Sequence, residues 1–289
     1  MHRPIDTKDP TAVESEVLSI CAAMFPGGDR SSVSRAFAWS VECFAGRYPA
    51  YGPIDARYHD LEHTMQATLC LARLLRGRQL AGAAPVLTVA DLHRGLLAVL
   101  FHDTGYLKRH DDTEGTGAKY TAIHVLRSQA FVEAFLAAKG ISRADVQAVQ
   151  NMISCTGINV DLKTIRFQSE AERTVAFALG TADLLGQMSA SDYVEKLRVL
   201  YEELTEAARF ADAPLPGKFA FASAEQLVRN TPAFWERYVR PKIDRDFGGL
   251  HTFLNDPFPD GPNPYLQRIE ENIVRIRAAS GSYGARETS

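Results

Sequence analysis

The sequence is poor in cysteine, in net charge and in long apolar runs. Its four cysteines, Cys21, Cys43, Cys70 and Cys155, are scattered through 289 residues without a Cys-x-x-Cys pair. That spacing excludes a disulfide framework, and the helix-like apolar settings predict reduced core thiols, as in a cytoplasmic protein. Thirty-two basic side chains are balanced by 35 acidic ones, which excludes a generally basic nucleic-acid binder. The longest unbroken apolar run, Gly95 to Phe101, falls far short of the roughly 20 residues a bilayer span needs. No apolar stretch follows the charges of Met1 to Asp6, which argues against a cleaved leader. No segment alternates with the period of a strand, and there is no internal repeat or low-complexity tract.

What is present is helical periodicity. Val13, Val17, Ile20 and Met24 recur at three- and four-residue steps before Pro26-Gly27-Gly28 stops the run. Further amphipathic stretches run from about Ser32 to Phe44 and from near Tyr58 through Leu75. The next opens with a capping box, Thr88 to Asp91, and becomes almost wholly apolar by Leu96, the mark of a helix at the centre of a fold. After a polar loop from about Lys108 to Gly117, periodicity resumes to Ala138. Helices are expected from Ser142 to about Cys155, from Ala171 to Met188 and from Ser191 to about Ala208, before Pro214-Leu215-Pro216-Gly217. Shorter pieces are expected at Ala224–Val228 and Phe234–Ile243. A last helix carries Tyr265, Ile269, Ile273 and Ile276, with a frayed tail after Ala279. The pattern predicts an all-α chain folded as one domain. Residues 1–57 and 189–289 supply helices packed on a central bundle of residues 58–188.

Four local patterns carry chemistry. In Tyr58-His59-Asp60-Leu61-Glu62-His63, two histidines four residues apart share one helical face. In Phe101-His102-Asp103-Thr104-Gly105, an imidazole and a carboxylate sit where the apolar helix ends. Burying that pair costs several kcal/mol unless it is matched or bound to a cation, and nitrogen with carboxylate oxygen suits a divalent ion. Asp183 is a lone carboxylate in an apolar stretch, in need of either a salt-bridge partner or a metal, with Gln187 one turn on. His124 sits inside an amphipathic helix, where a hydrogen-bonded boundary role competes with ligation. Lys108, Lys119 and Arg127 follow the His-Asp pair and are candidate phosphate contacts. Their acidic neighbours Asp111, Asp112 and Glu114 also fit a solvated mixed-charge surface. Phe219, Phe221, Phe234 and Trp235 are either core residues or walls of a base pocket.

The ordered set His63, His102-Asp103 and Asp183 resembles the HD-domain superfamily of metal-dependent phosphohydrolases over roughly Tyr58 to Met188. The segment from Tyr58 to Thr64 is similar to the Tyr-His-Asn-x-x-His-Ala signature of cyclic-nucleotide phosphodiesterases. This resemblance implies an HD-type helical core in which His63, His102, Asp103 and Asp183 hold a first metal. Asp103 bridges to a second ion in bimetallic members, and His59 protonates the leaving oxygen. Asp60 stands in place of the signature's asparagine. His124 and Ser128 fit a His-Glu-x-x-Ser segment whose histidine binds the second ion, although Val125 replaces the acid. A further histidine expected between Gln147 and Cys155 is absent.

The expected activity is hydrolysis of a nucleotide or another small phosphate ester by metal-activated water, with His59 and Asp103 catalytic. The resemblance implies one or two divalent ions, drawn from manganese, magnesium, zinc, iron, nickel or cobalt. The expected partner is a small phosphorylated molecule. No membrane or nucleic-acid partner is expected, and a homo-oligomer is left open. Three alternatives stand beside this reading: a cyclic-nucleotide phosphodiesterase specifically, a di-iron oxygenase on the same fold, and a non-catalytic binding module. The oxygenase needs more histidines between the His-Asp pair and Asp183 than His110 and His124 supply.

Overall fold

The computed structural model describes residues 5–158, 160–211 and 221–284. Ten α-helices account for most of them: α1 Pro10–Met24, α2 Ser31–Phe44, α3 Leu61–Leu80, α4 Val89–Phe101, α5 His124–Ala138, α6 Arg143–Ser154, α7 Glu170–Met188, α8 Tyr193–Phe210, α9 Ala224–Phe234 and α10 Pro264–Gly284. No strand occurs among the described residues; Tyr51 and Arg109 form an isolated bridge. The fold is all-α.

Helix starts follow local side-chain chemistry. Thr88 and Asp91 form the capping box that opens α4, Ser142 receives the Asp145 amide at α6, and Ser169 does the same for Glu172 at α7. Each such cap contributes about 1 kcal/mol. At α3 the cap is Asp60, whose carboxylate accepts from the His63 amide at 2.9 Å. His59 therefore precedes the helix instead of sharing a helical face with His63. In the same way His124 is the first residue of α5, not an interior one, because a 3₁₀ helix at Gly117–Tyr120 and a turn over residues 121–123 come first.

The centre of the molecule is α3 against α7. Met65, Ala67, Cys70, Leu71, Leu74 and Leu75 of α3 are buried, as are Val175, Leu179, Ala182 and Leu185 of α7. Each large apolar side chain removed from water stabilises the fold by about 1.5–3 kcal/mol. Gly186 allows the close approach, since a β-carbon there would come within 2.9 Å of backbone at Gln66 and Ala67. The last turns of α4, Leu96 to Phe101, are enclosed on all sides, as expected of its nearly all-apolar sequence. One continuous apolar core runs from Val13 and Val17 of α1 to Ile269, Ile273 and Ile276 of α10. Asn272 fastens α10 to the end of α7 by donating to the carbonyls of Met188 and Ala190 at 3.0 and 2.8 Å. All four cysteines are free and buried.

Two expectations about the C-terminal third are corrected. The pieces at Ala224–Val228 and Phe234–Ile243 form one longer helical run, in which α9 reaches Phe234 and continues through π-helical turns at Trp235–Val239 and Lys242–Asp246. Pro232 and Pro241 lie in this run. A proline removes an amide donor, and the wider turns accommodate the interrupted ladder. Helix α10 also extends past Ala279 to Gly284. The segment Pro214-Leu215-Pro216-Gly217 and Phe219 lie outside the described residues. Among those described, no helix is long and apolar enough to cross a membrane.

Candidate metal centre

Three helices deliver four side chains to one point. His63 comes from the first turn of α3, His102 and Asp103 follow the last residue of α4, and Asp183 projects from α7. His63 Nε2 lies 3.2 Å from Asp103 Oδ2 and 3.1 Å from Asp183 Oδ1. His102 Nε2 lies 3.3 and 3.5 Å from the same two oxygens. Ligand atoms of His63, His102 and Asp103 all fall within 4.8 Å of one another, and all three residues are buried.

The donor chemistry fits a cation. His102 Nδ1 donates to the Val99 carbonyl at 2.7 Å. This fixes the tautomer and leaves Nε2 with a lone pair. That Nε2 and Asp103 Oδ2 are both buried without a hydrogen-bond partner, so acceptor faces acceptor across a short gap. Such an arrangement is costly unless positive charge sits between the two groups. Two ligands about 2.1 Å from one ion can stand at most about 4.2 Å apart; the four imidazole-to-carboxylate separations of 3.1–3.5 Å lie inside that limit, while Asp183, close to both imidazoles, stands outside the mutually close set of His63, His102 and Asp103.

Electrostatics report the same demand. Burial pushes the His63 imidazolium down, but Asp103 and Asp183 outweigh it and hold the group up to about 10. His102 is raised by the same carboxylates against its burial. Asp103 and Asp183 are held well below the ordinary carboxylate range, burial being outweighed by the two imidazoles. Paired carboxylates here attract whatever positive charge is available, a proton or a metal ion.

Asp103 faces two ways. Its Oδ2 points to the His63 and His102 side, while Oδ1 lies 3.9 Å from His124 Nε2. His124 Nδ1 donates to the Thr121 carbonyl at 2.7 Å, which leaves Nε2 as a lone-pair donor towards Asp103. The turn bearing the ligands is clamped to α5. Ser128 accepts from the Gly105 amide at 2.8 Å and donates to the His102 carbonyl at 2.5 Å. Only glycine fits at position 105, where a β-carbon would stand 2.0 Å from the His124 carbonyl oxygen.

His59 stands at the edge of the cluster, its ring centroid 5.6 Å from that of His63. Its Nδ1 donates to Glu203 Oε2 at 2.6 Å, and the other Glu203 oxygen accepts the Tyr58 amide at 2.7 Å. Glu203 belongs to α8, which also reaches the start of α3 through Lys196 and Glu62, 2.7 Å apart. Burial works against ionising Glu203, but His59 and the backbone amides outweigh it and hold its carboxyl below the ordinary range. Side-chain exposures of 16% for His59, 18% for His124 and 12% for Asp183, against 1–4% for His63, His102 and Asp103, define the solvent-facing side of the cluster. A second chain of contacts steadies Asp183. Tyr58 donates its hydroxyl to Gln187 at 2.8 Å, and Gln187 donates to the Asp183 carbonyl at 3.0 Å.

The three candidate phosphate contacts are each engaged within the loop. Arg127 donates to the carbonyls of Gly105 and Leu107 at 2.7 and 2.8 Å and lies 3.4 Å over the Tyr120 ring. Lys119 is bound to Asp112 and to the Glu114 carbonyl, and Lys108 to the Gly115 carbonyl with Asp55 at 3.6 Å. These cations hold the loop together. Among the aromatics, Trp235 is buried in the core, Phe221 packs against it, and Phe234 stacks on Tyr238 at 5.1 Å.

Glu203 was not foreseen. Its signal is a carboxylate within the apolar stripe of α8, three residues after Leu200 and four before Ala207.

The family model described as Npun_R2479-like matches residues 37–255, well over half of the chain and all of the cluster. No curated protein matches the chain.

Proposed function

The chain belongs to the Npun_R2479-like family, and we propose that it is an HD-type phosphohydrolase acting on a nucleotide or another small phosphate ester. One observation supports this above the others. Two imidazole nitrogens each lie 3.1–3.5 Å from two carboxylate oxygens, with His102 Nε2 and Asp103 Oδ2 unpaired, and an oriented imidazole stands beside them on the solvent-facing side. His63, His102, Asp103 and Asp183 would hold a divalent ion, with Asp103 Oδ1 and His124 available to a second. When bound, such an ion supplies Lewis acidity, lowering the pKa of water and offsetting charge on phosphate oxygens.

The chain's own part is orientation and proton delivery. Glu203 fixes the His59 tautomer with the proton on Nδ1 and turns Nε2 away from α8. Held in this way by Glu203, His59 would present Nε2 to hand a proton to a departing alkoxide. A held acid suits an ester with a poor leaving group, as in a phosphodiester with an aliphatic alcohol. His124 and Asp183, on the same open side, border the space that a phosphate would enter.

Elemental analysis of protein purified without added metal, then a panel of cyclic nucleotides, nucleoside monophosphates and nucleoside triphosphates, tests the reading. A bound divalent ion with turnover of at least one ester is expected. A metal-free chain, inactive on the whole panel with every divalent ion named above, would defeat the proposal. His59→Ala should keep the metal and slow turnover; loss of the metal would move His59 into the ligand set.

A further inference from the structure

Tyr106 lies three residues beyond Asp103, in the 3₁₀ turn Thr104–Tyr106, and none of its surface is exposed. Its ring is stacked against His59, with centroids 4.4 Å apart and planes at 11°, and against His124, at 4.8 Å and 21°. The two imidazole centroids are 6.2 Å apart. Rings on opposite faces of a phenol would be separated by at least twice the ~3.5 Å contact distance, about 7 Å. Both histidines therefore rest on the same face of Tyr106, side by side. The hydroxyl is buried beside Thr121 without a well-formed hydrogen bond, so the contact with the histidines is made by the ring alone.

We infer that Tyr106 is a positioning residue whose ring face sets the spacing between His59 and His124. The role given to His59 rests on the hydrolase reading above; the platform itself does not. Each imidazole is tethered at Nδ1, His59 by Glu203 and His124 by the Thr121 carbonyl. One hydrogen bond leaves a ring free to swing about that contact. A flat aromatic surface beneath both removes this freedom and keeps the two Nε2 atoms at the same depth in the site. An aliphatic side chain of similar bulk fills the volume without defining a plane.

The test compares Tyr106→Phe with Tyr106→Leu in the full chain. Protons held over an aromatic face resonate upfield, so the imidazole resonances of His59 and His124 are recorded by NMR without added metal. Phenylalanine should preserve their positions and leucine should move both. With a 3′,5′-cyclic nucleotide, whose leaving group is an aliphatic alkoxide, and manganese, leucine should lower kcat by about 10²-fold, the scale of a misplacement near 1 Å. KM should stay within about threefold, as for a loss confined to the transition state. Phenylalanine should restore wild-type turnover. A folded leucine variant with unmoved histidine resonances or unchanged kcat overturns the inference, as does a phenylalanine variant as impaired as leucine. If the leucine variant does not fold, NOEs in the wild-type chain decide: the Tyr106 ring protons must contact both imidazoles, and the absence of either contact rejects the platform. If the wild-type chain leaves the ester intact, the hydrolase reading fails on that probe and the NMR arm judges the platform alone.

Discussion

The ligand cluster and the loop from Lys108 to Tyr120 are neighbours in sequence, and both are dense in charge. They differ in how that charge is matched. In the loop, Lys119 meets Asp112 and the Glu114 carbonyl, Tyr120 donates to Asp112, and Arg109 reaches Asp111. In the cluster, lone pairs from His102 and Asp103 face each other without a donor, although the site is more deeply buried. A satisfied network accounts for its own residues through the stability it provides. An unsatisfied one points to a missing positive charge. Charge density in the sequence does not separate the two cases, whereas partner geometry does.

The largest effect that would break this contrast is expected at Asp103. Asp103→Ala removes the oxygen shared by His63 and His102 together with the one facing His124. Metal content should fall to background, a larger loss than the ~10–100-fold typical of outer residues. For the wild-type chain, a divalent ion at a hundredfold excess over its Kd should add about 2.7 kcal/mol of stability, read as a rise in Tm. Asp103→Ala should show no such rise. An undiminished metal-dependent rise would place the ion elsewhere and leave the unpaired acceptors unexplained.

Next is Glu203→Gln, which sharpens the contrast between holding an ion and orienting a base. The amide keeps the volume and replaces the carboxylate that accepts from His59 Nδ1 at 2.6 Å with a weaker, neutral acceptor. Turnover of a phosphate ester should fall by about 10–100-fold, with metal content unchanged. Equal loss of metal and rate would show that Glu203 supports the cluster itself.

Gly105→Ala tests the join between cluster and loop. The added methyl would meet the His124 carbonyl, so α5 must shift or the turn must open. A cost of about 1–3 kcal/mol is expected from such overpacking, measured as a lower urea midpoint with an unchanged m-value. A neutral substitution would mean that the Ser128 clamp is looser than its 2.5 and 2.8 Å hydrogen bonds imply.

Legibility followed the same division. The helices were readable because periodicity and caps are local, and Thr88–Asp91 and Ser142–Asp145 formed as their spacing suggests. His102, Asp103 and Asp183 stood out one by one because polar residues at the ends or middles of apolar helices need partners; only the resemblance to HD-domain proteins joined them with His63 as a set. Helix phase near the ends was less readable. Asp60 is a stronger cap than its neighbours, so the chain before it, with His59, stays outside α3. Glu203 was hidden among Glu195, Glu202 and Glu206 in one amphipathic helix, where only burial against Tyr58 and His59 distinguishes it. Arg127 is the opposite case. A guanidinium near candidate ligands suggests phosphate binding, while the structure shows two of its donors on the carbonyls of Gly105 and Leu107, contacts that sequence spacing does not reveal.

The smallest effects should come from the loop cations, and they set the other end of the comparison. Arg127→Met strips donors from two carbonyls of the ligand-bearing strap, at a cost of about 1–3 kcal/mol for the acceptors left unmatched. Its main signature is therefore stability. Lys119→Met should do less, because Tyr120 still donates to Asp112 at 2.5 Å after the ammonium is gone. For Lys119→Met, KM for bis(p-nitrophenyl) phosphate should stay within about twofold of wild type, since no binding shared by ground and transition states is lost. A tenfold rise in KM with unchanged stability would return this lysine to phosphate recognition. The loop would then be a binding surface whose internal ion pairs open when substrate arrives, and a complete set of partners would no longer mark a purely structural network.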